Sequence, residues 1–315
     1  TYSGPTIISS GASLWVGRTV GGTGRLGSGA VTNAGVLYAN SAVLGTGEVV
    51  NNAGGSLYLN PTNLSVGRIV NSGTVYGTSV VQTASSVVNN GTWQCYSGSF
   101  GSSIVTNASG GTLTVYTNFF TFGRLVNSGT LNILQSMTVS NDVTFNGGTV
   151  AVSSNSLVLT GPVTANGNTS FSSTSAGTVE ISGAIGGTGG FTQNSDGGLY
   201  LTCATNSYSG PTLINSGKTL VVGKTLGATG SLGSGSITNW GTLYANSERL
   251  SNGSVANYGT LYWNGGLLSG TGDIVNNNNL FIDRVGTFVC SNAFFGSGTT
   301  YLRYGAEMIV SGSVS

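Results

Sequence analysis

Residues 31–77 read VTNAGVLYANSAVLGTGEVVNNAGGSLYLNPTNLSVGRIVNSGTVYG. One phrase recurs in them: an apolar pair or triplet, then Asn, one or two residues, Gly, a small residue and a return to β-forming side chains. Its asparagines here are Asn33, Asn51 and Asn71. Outward from this stretch the series runs on through Asn89, Asn107, Asn127 and Asn146, and resumes at Asn239, Asn257 and Asn276. The gaps are 18, 20, 18, 18, 20 and 19 in the first run and 18 and 19 in the second, and the 93 residues between the runs make five more such steps. The period is close to 19.

A unit of that length holds two or three short strands separated by Gly, Asn and Ser turns, and it cannot bury an apolar face alone. It must stack on its neighbours, and the period suits one coil of a parallel β-helix. The 54 glycines and the lack of a 3.6-residue pattern exclude helical repeats, and a propeller would need a regular repeat of about 40 residues or more. The expectation is an all-β, single-stranded parallel β-helix, continuous over residues 1–315, with 315 residues giving about 16–17 coils. Asparagine repeated at one corner has a physical reason. Stacked side-chain amides can hydrogen bond along the axis as a ladder, and Asn tolerates the left-handed corner conformation.

A longer repeat lies over the short one. Tyr2 to Ser41, YSGPTIISSGASLWVGRTVGGTGRLGSGAVTNAGVLYANS, returns from Tyr208 to Ser247 as YSGPTLINSGKTLVVGKTLGATGSLGSGSITNWGTLYANS, identical at 27 of 40 positions. The pieces Tyr2-Ser-Gly-Pro-Thr-Ile-Ile, Thr23-Gly-Arg-Leu-Gly-Ser-Gly-Ala-Val-Thr-Asn33 and Asn71-Ser-Gly-Thr-Val75, with their second copies, resemble the autotransporter-associated β-strand repeat of bacterial surface-protein passenger domains. The resemblance is clearest over residues 2–113 and 198–282. It implies a right-handed parallel β-helix exported to the cell surface, in a class of proteins that includes adhesins, spacers and scaffolds.

Composition narrows the function. Nine Lys plus Arg and eight Asp plus Glu leave a net charge of +1, so no basic face exists to neutralise phosphates and nucleic acid is excluded as a partner. No apolar run approaches the roughly 18 residues of a spanning helix, so no membrane insertion of this segment is expected. With no histidine, triad and imidazole acid–base chemistry are ruled out. Glycoside hydrolysis needs two carboxyl groups about 5 to 9.5 Å apart, whereas Glu48, Asp142, Glu180, Asp196, Glu248, Asp273, Asp283 and Glu307 are scattered over the period. Glu248 with Asp273 is the nearest approach to a pair. Asp and Cys are too sparse for calcium coils or a zinc site, so neither metal nor cofactor is expected. Cys95, Cys203 and Cys290 sit on alternating strand patterns as buried free thiols, several coils apart and too far for a disulfide. Gly22-Thr-Gly24-Arg-Leu-Gly27 matches a dinucleotide fingerprint, but no helix pattern follows it, so it reads as a turn. The sequons at Asn63, Asn90, Asn107, Asn168 and Asn252 are as frequent as chance supplies.

Tyr38, Tyr58, Tyr76, Tyr96 and Tyr116 recur at gaps of 20, 18, 20 and 20, each after an inward-type residue: Leu37, Leu57, Val75, Cys95 and Val115. Tyr200, Tyr244 and Tyr262 keep the same partnership. Alternation puts these rings on the outer face as one column, either a stiffening ladder or a contact stripe for glycans or a neighbouring filament. Tyr2 is preceded by Thr1 alone, Tyr208 by the apolar strand Leu199 to Cys203, and the last residues stop inside a strand-like pattern. Uncapped coils either continue or pair end to end. The sequence therefore points to a non-enzymatic, extracellular fibre shaft, adhesin or matrix filament, with copies of itself as partners. The other reading is a carbohydrate-binding or polysaccharide-degrading β-helix.

Overall fold

The computed structural model describes residues 2–40, 44–60, 63–78, 80–96, 98–173, 176–247, 250, 253–265, 272–290 and 293–314. The parallel β-helix expected from the period is the fold adopted. Among the described residues there is no helix, every named strand pair is parallel, and the strands stack in about 13 turns. The chain forms two compact units, Thr1–Thr144 and Phe145–Ser315.

In the first unit one stack of strands runs Thr6–Ile8, Val31–Asn33, Glu48–Asn51, Asn63–Asn71, Val80–Asn89, Ile104–Asn107 and Arg124–Asn127. The second runs Ser13–Val16, Val36–Ala39, Ser56–Leu59, Thr74–Gly77, Thr92–Cys95, Thr112–Val115 and Thr130–Ile133. Period-2 alternation explains the core. Val31, Val49, Ile69, Val87, Val105 and Leu125 form one buried column, and Leu37, Leu57, Val75, Trp93, Leu113 and Leu131 form another facing it. Size is balanced within a column's surroundings: Gly77 lies beside the buried Trp93, and a Cβ there would meet the indole Nε1 at 3.5 Å. Close packing makes such large–small pairing necessary.

In the second unit one stack is Thr149–Val152, Thr169–Ser172, Phe191–Gln193, Thr212–Ile214, Ile237–Asn239, Val255–Asn257, Ile274–Asn276 and Phe294–Phe295. The other includes Ser156–Leu159, Thr178–Ile181, Leu199–Leu201, Thr219–Val222, Thr242–Ala245, Thr260–Trp263, Asn279–Asp283 and Thr299–Arg303. Its interior carries an aromatic file, Phe145, Phe171, Phe191 and Tyr208, with centroids 6.0, 5.5 and 5.0 Å apart.

The turn count departs from the 16–17 expected, because coils are not uniformly 19 residues long. Register partners Val150, Phe171, Gln193, Ile214 and Asn239 are separated by 21, 22, 21 and 25 residues, and Ile8 to Asn33 is also 25. The 25-residue coils contain the Gly-rich loops of the long repeat, which fold back on themselves: Gly22 N–H donates to Thr19 O and Ala228 N–H to Thr225 O, both at 2.9 Å.

Candidate functional site

In the first unit the asparagine corner is a continuous hydrogen-bonded column. Asn33 Nδ2 donates to Asn51 Oδ1 at 2.7 Å, and Asn51 to Asn71, Asn71 to Asn89, Asn89 to Asn107 and Asn107 to Asn127 each at 2.8 Å. The second amide hydrogen reaches across the corner to a backbone carbonyl of the next strand, as from Asn71 to Thr92 O and Asn89 to Thr112 O at 3.0 Å. The oxygen also caps the turn, accepting from Gly73 N–H in Asn71. All six side chains are buried, and such burial is tolerable because donors and acceptors are both satisfied. Asn239 to Asn257 and Asn257 to Asn276 repeat the arrangement at 2.8 Å in the second unit.

Asn146 departs from the expected ladder: it is exposed, and its Oδ1 accepts from Asn166 Nδ2 at 3.1 Å. In its strand, Asp142–Asn146, the inward places are taken by Val143 and Phe145, so Asn146 turns out. The five uniform steps between Asn146 and Asn239 are likewise replaced by the longer coils above, and the residues in register before Asn239 are Ile214, Gln193 and Phe171. Gln193 acts as a corner amide that the asparagine pattern missed. It is buried, and its Nε2 donates to Gly197 O at 2.9 Å and Thr219 O at 2.8 Å. The signal available was Gln four residues before a Gly at the end of the apolar Phe191-Thr-Gln193 strand.

The tyrosines fall in two rows rather than one column. Trp15, Tyr38, Tyr58 and Tyr76 stack with centroids 4.9, 4.8 and 4.7 Å apart. The residue in register after Tyr76 is Gln94, because Val75 pairs with Trp93 and not with Cys95. Tyr96 and Tyr116 lie two positions further along their coils and stack on each other at 4.5 Å. In the second unit Tyr244, Tyr262, Phe281 and Tyr301 form a further ladder at 4.7, 4.9 and 4.7 Å, while Val221 separates Tyr200 from it. Arg303 closes over Phe281 at 4.5 Å and pairs with Asp283. The Tyr58 phenol is pushed above its ordinary value, first by burial and then by the phenols of Tyr76 and Tyr38. Rings stacked at such distances have their faces on one another, so what the ladders offer to solvent is mostly ring edge and hydroxyl.

Four carboxylates are each held by a cation one or two coils on: Glu48 by Arg68 at 2.8 Å, Asp196 by Lys218 and Asp283 by Arg303 from the adjacent coil, and Glu180 by Lys224 at 2.6 Å from two coils away. Glu307 accepts from Thr287 Oγ1 at 2.9 Å, and Glu248 and Asn252 lie outside the described residues. Among the described residues no three His, Cys, Asp or Glu side chains cluster as a metal site would require. Cys95 and Cys290 are buried, and burial pushes the Cys95 thiol up to about 12. Cys203, expected to be buried, is half-exposed on the turn after its strand, where its Sγ meets Thr205 Oγ1 at 3.4 Å. Open clefts of about 650 and 360 Å³ flank the Gly-rich loops of the two repeat copies, and among the described residues Arg25 in the first is the single charged residue lining either. Compared with family models, with curated proteins and with solved structures, the chain matches none.

Proposed function

We propose that this chain is a non-enzymatic, extracellular structural protein, the stiff shaft of a surface fibre, adhesin or matrix filament, in keeping with its resemblance to autotransporter-associated repeats. The observation that carries the reading is the amide column. From Asn33 to Asn107 each buried corner amide bonds to the asparagine of the next coil, so rigidity is built coil by coil. The outer face of the first unit supports lateral packing of such shafts: Thr32, Val50, Val70, Val88, Thr106 and Val126 form one in-register, half-buried β-branched row. With charged residues at 5% of the chain, mutual repulsion between copies is weak.

The test is light scattering and electron microscopy of the purified chain over a range of concentrations, beside incubation with cell-wall and plant polysaccharides. Side-by-side assemblies that grow with concentration, with no sugar released, are expected. A monodisperse monomer throughout, or release of reducing ends or unsaturated products, overturns the proposal.

A further inference from the structure

The two copies of the long repeat differ at one exposed corner, and the difference creates a surface that the fold does not require. In both copies a four-residue corner is followed, one coil on, by a two-residue corner. Asn215 to Lys218 gives way to Trp240-Gly241 in the second copy, and Ser9 to Ala12 gives way to Ala34-Gly35 in the first. The backbones match: Lys218 N–H donates to Asn215 O and Ala12 N–H to Ser9 O at 3.0 Å, with Gly217 and Gly11 at φ +72° and +79°. The longer corner therefore stands proud of the shorter one in each copy, leaving a ledge. Ala34 floors it in the first copy, which shows that the corner closes without an aromatic. Trp240 floors it in the second.

Trp240 is 49% exposed. One face of its indole is covered by Tyr258, whose ring lies 4.1 Å away at 12°. The other face looks toward Asn215, at the preceding level of the same row: Trp240 N–H bonds to Ile214 O and Asn215 N–H to Gln193 O. The Asn215 amide is turned away, donating to Asn194 Oδ1 at 3.0 Å, and it is too short to cover an indole. Unlike the rings inside the long ladders, Trp240 thus has a stacked ring on one face alone among the described residues, and half of its surface is exposed. Beside it stand neutral amides at Asn194 and Asn215, and the nearby charges, Lys218 and Asp196, neutralise each other.

We propose that this ledge binds a neutral pyranose, in particular a β-linked, all-equatorial hexose of the glucose type. Such a ring presents axial C–H groups on its flat side, which suit the electron-rich indole face, and equatorial hydroxyls at its rim, which suit amide donors and acceptors. A charged ligand would find no unpaired partner among these groups. The site is independent of the shaft reading, since a single non-associating molecule carries all of it.

The probe is a soluble β-1,4-linked glucose hexamer, titrated into dilute protein carrying Trp15→Phe. The remaining indoles, Trp93 and Trp263, are both buried, so the fluorescence change reports Trp240. One aromatic platform with a few polar contacts predicts a dissociation constant of about 1 mM. Because Trp240→Ala and Asn215→Trp both alter the indole reporter, binding to these variants is read from the hexamer itself, by broadening of its proton NMR lines. Trp240→Ala, with an unchanged far-UV spectrum, is expected to weaken binding about tenfold or more. Asn215→Trp keeps Trp240 but extends the stack over its other face, and is expected to abolish binding equally. No saturable signal with the parent protein, binding unaltered by Trp240→Ala, or binding retained in Asn215→Trp would each overturn the proposal.

Discussion

Replacing Asn71 by Asp tests the amide column with almost no change in shape. Asn71 accepts from Asn51 Nδ2 at 2.8 Å and from Gly73 N–H at 3.1 Å, and donates to Asn89 Oδ1 at 2.8 Å and to Thr92 O at 3.0 Å. An aspartate retains both acceptor roles but aims its second oxygen at Asn89 Oδ1 and Thr92 O, which are acceptors. The column relieves that clash by taking up a proton: the neutral acid donates to Asn89 and loses the second amide hydrogen, which Thr92 O and Gly73 O share. Holding an acid of ordinary pKa about 3.9 neutral at neutral pH costs about 1.4 kcal/mol per unit, or about 4 kcal/mol. The missing bond adds about 1 kcal/mol. The folded-state pKa is thus raised above the unfolded value, so the deficit is small below about pH 4 and grows as pH rises toward the folded pKa. Asn71→Asp should therefore lose about 5 kcal/mol near neutrality and about 1 kcal/mol near pH 3. Since stacked repeats need not unfold in one step, the readouts are local: urea-induced change in Trp93 fluorescence and amide exchange in Glu48–Asn51 and Val80–Asn89. Asn146→Asp, at an exposed site, should change stability by less than about 0.5 kcal/mol. If Asn71→Asp matched the parent at neutral pH, or were weakened equally at both pH values, the column would not be the dry, fully satisfied element described.

Glycine has two separate jobs here, which substitution should resolve. A Cβ on Gly233 would run into the Tyr208 carbonyl of the adjacent coil, so Gly233→Ala should cost about 3 kcal/mol or more in thermal or urea unfolding. Gly217 has φ +72° with nothing within 4 Å of an added Cβ, so Gly217→Ala should cost only about 1 to 2 kcal/mol, from backbone strain. Thiol reagents should modify Cys203 in the native protein, and Cys95, with its thiol pushed up to about 12 by burial, only on unfolding. Labelling of Cys95 at the Cys203 rate, read by peptide mass spectrometry, would mean the interior opens locally.

How far the sequence could be read depends on what repeats. The corner asparagine sits where every coil must turn, and its amide bonds to its own image one coil away, so the same physics selects it at Asn33, Asn51, Asn71, Asn89, Asn107 and Asn127. The period is then visible without coordinates. Phase, by contrast, is set by loops that obey no such rule. A two-residue difference between a Tyr and the strand preceding it moves Tyr96 and Tyr116 out of the Tyr38–Tyr76 row, although the spacing of 20 looks unbroken. The 25-residue coils absorb what arithmetic assigned to extra turns. Equivalent residues also meet unlike neighbours: Tyr208 is fully buried, packs on Phe191 and bonds to Thr212 at 2.8 Å, while its counterpart Tyr2 is 56% exposed. Gln193 and Trp240 escaped notice for the same reason. Each stands once at a position that the repeat fills otherwise, so periodicity discards it as noise. In a stacked fold, structure is carried by positions that agree from coil to coil, and individual chemistry is to be sought where one coil departs from them, as Trp240 departs from Ala34.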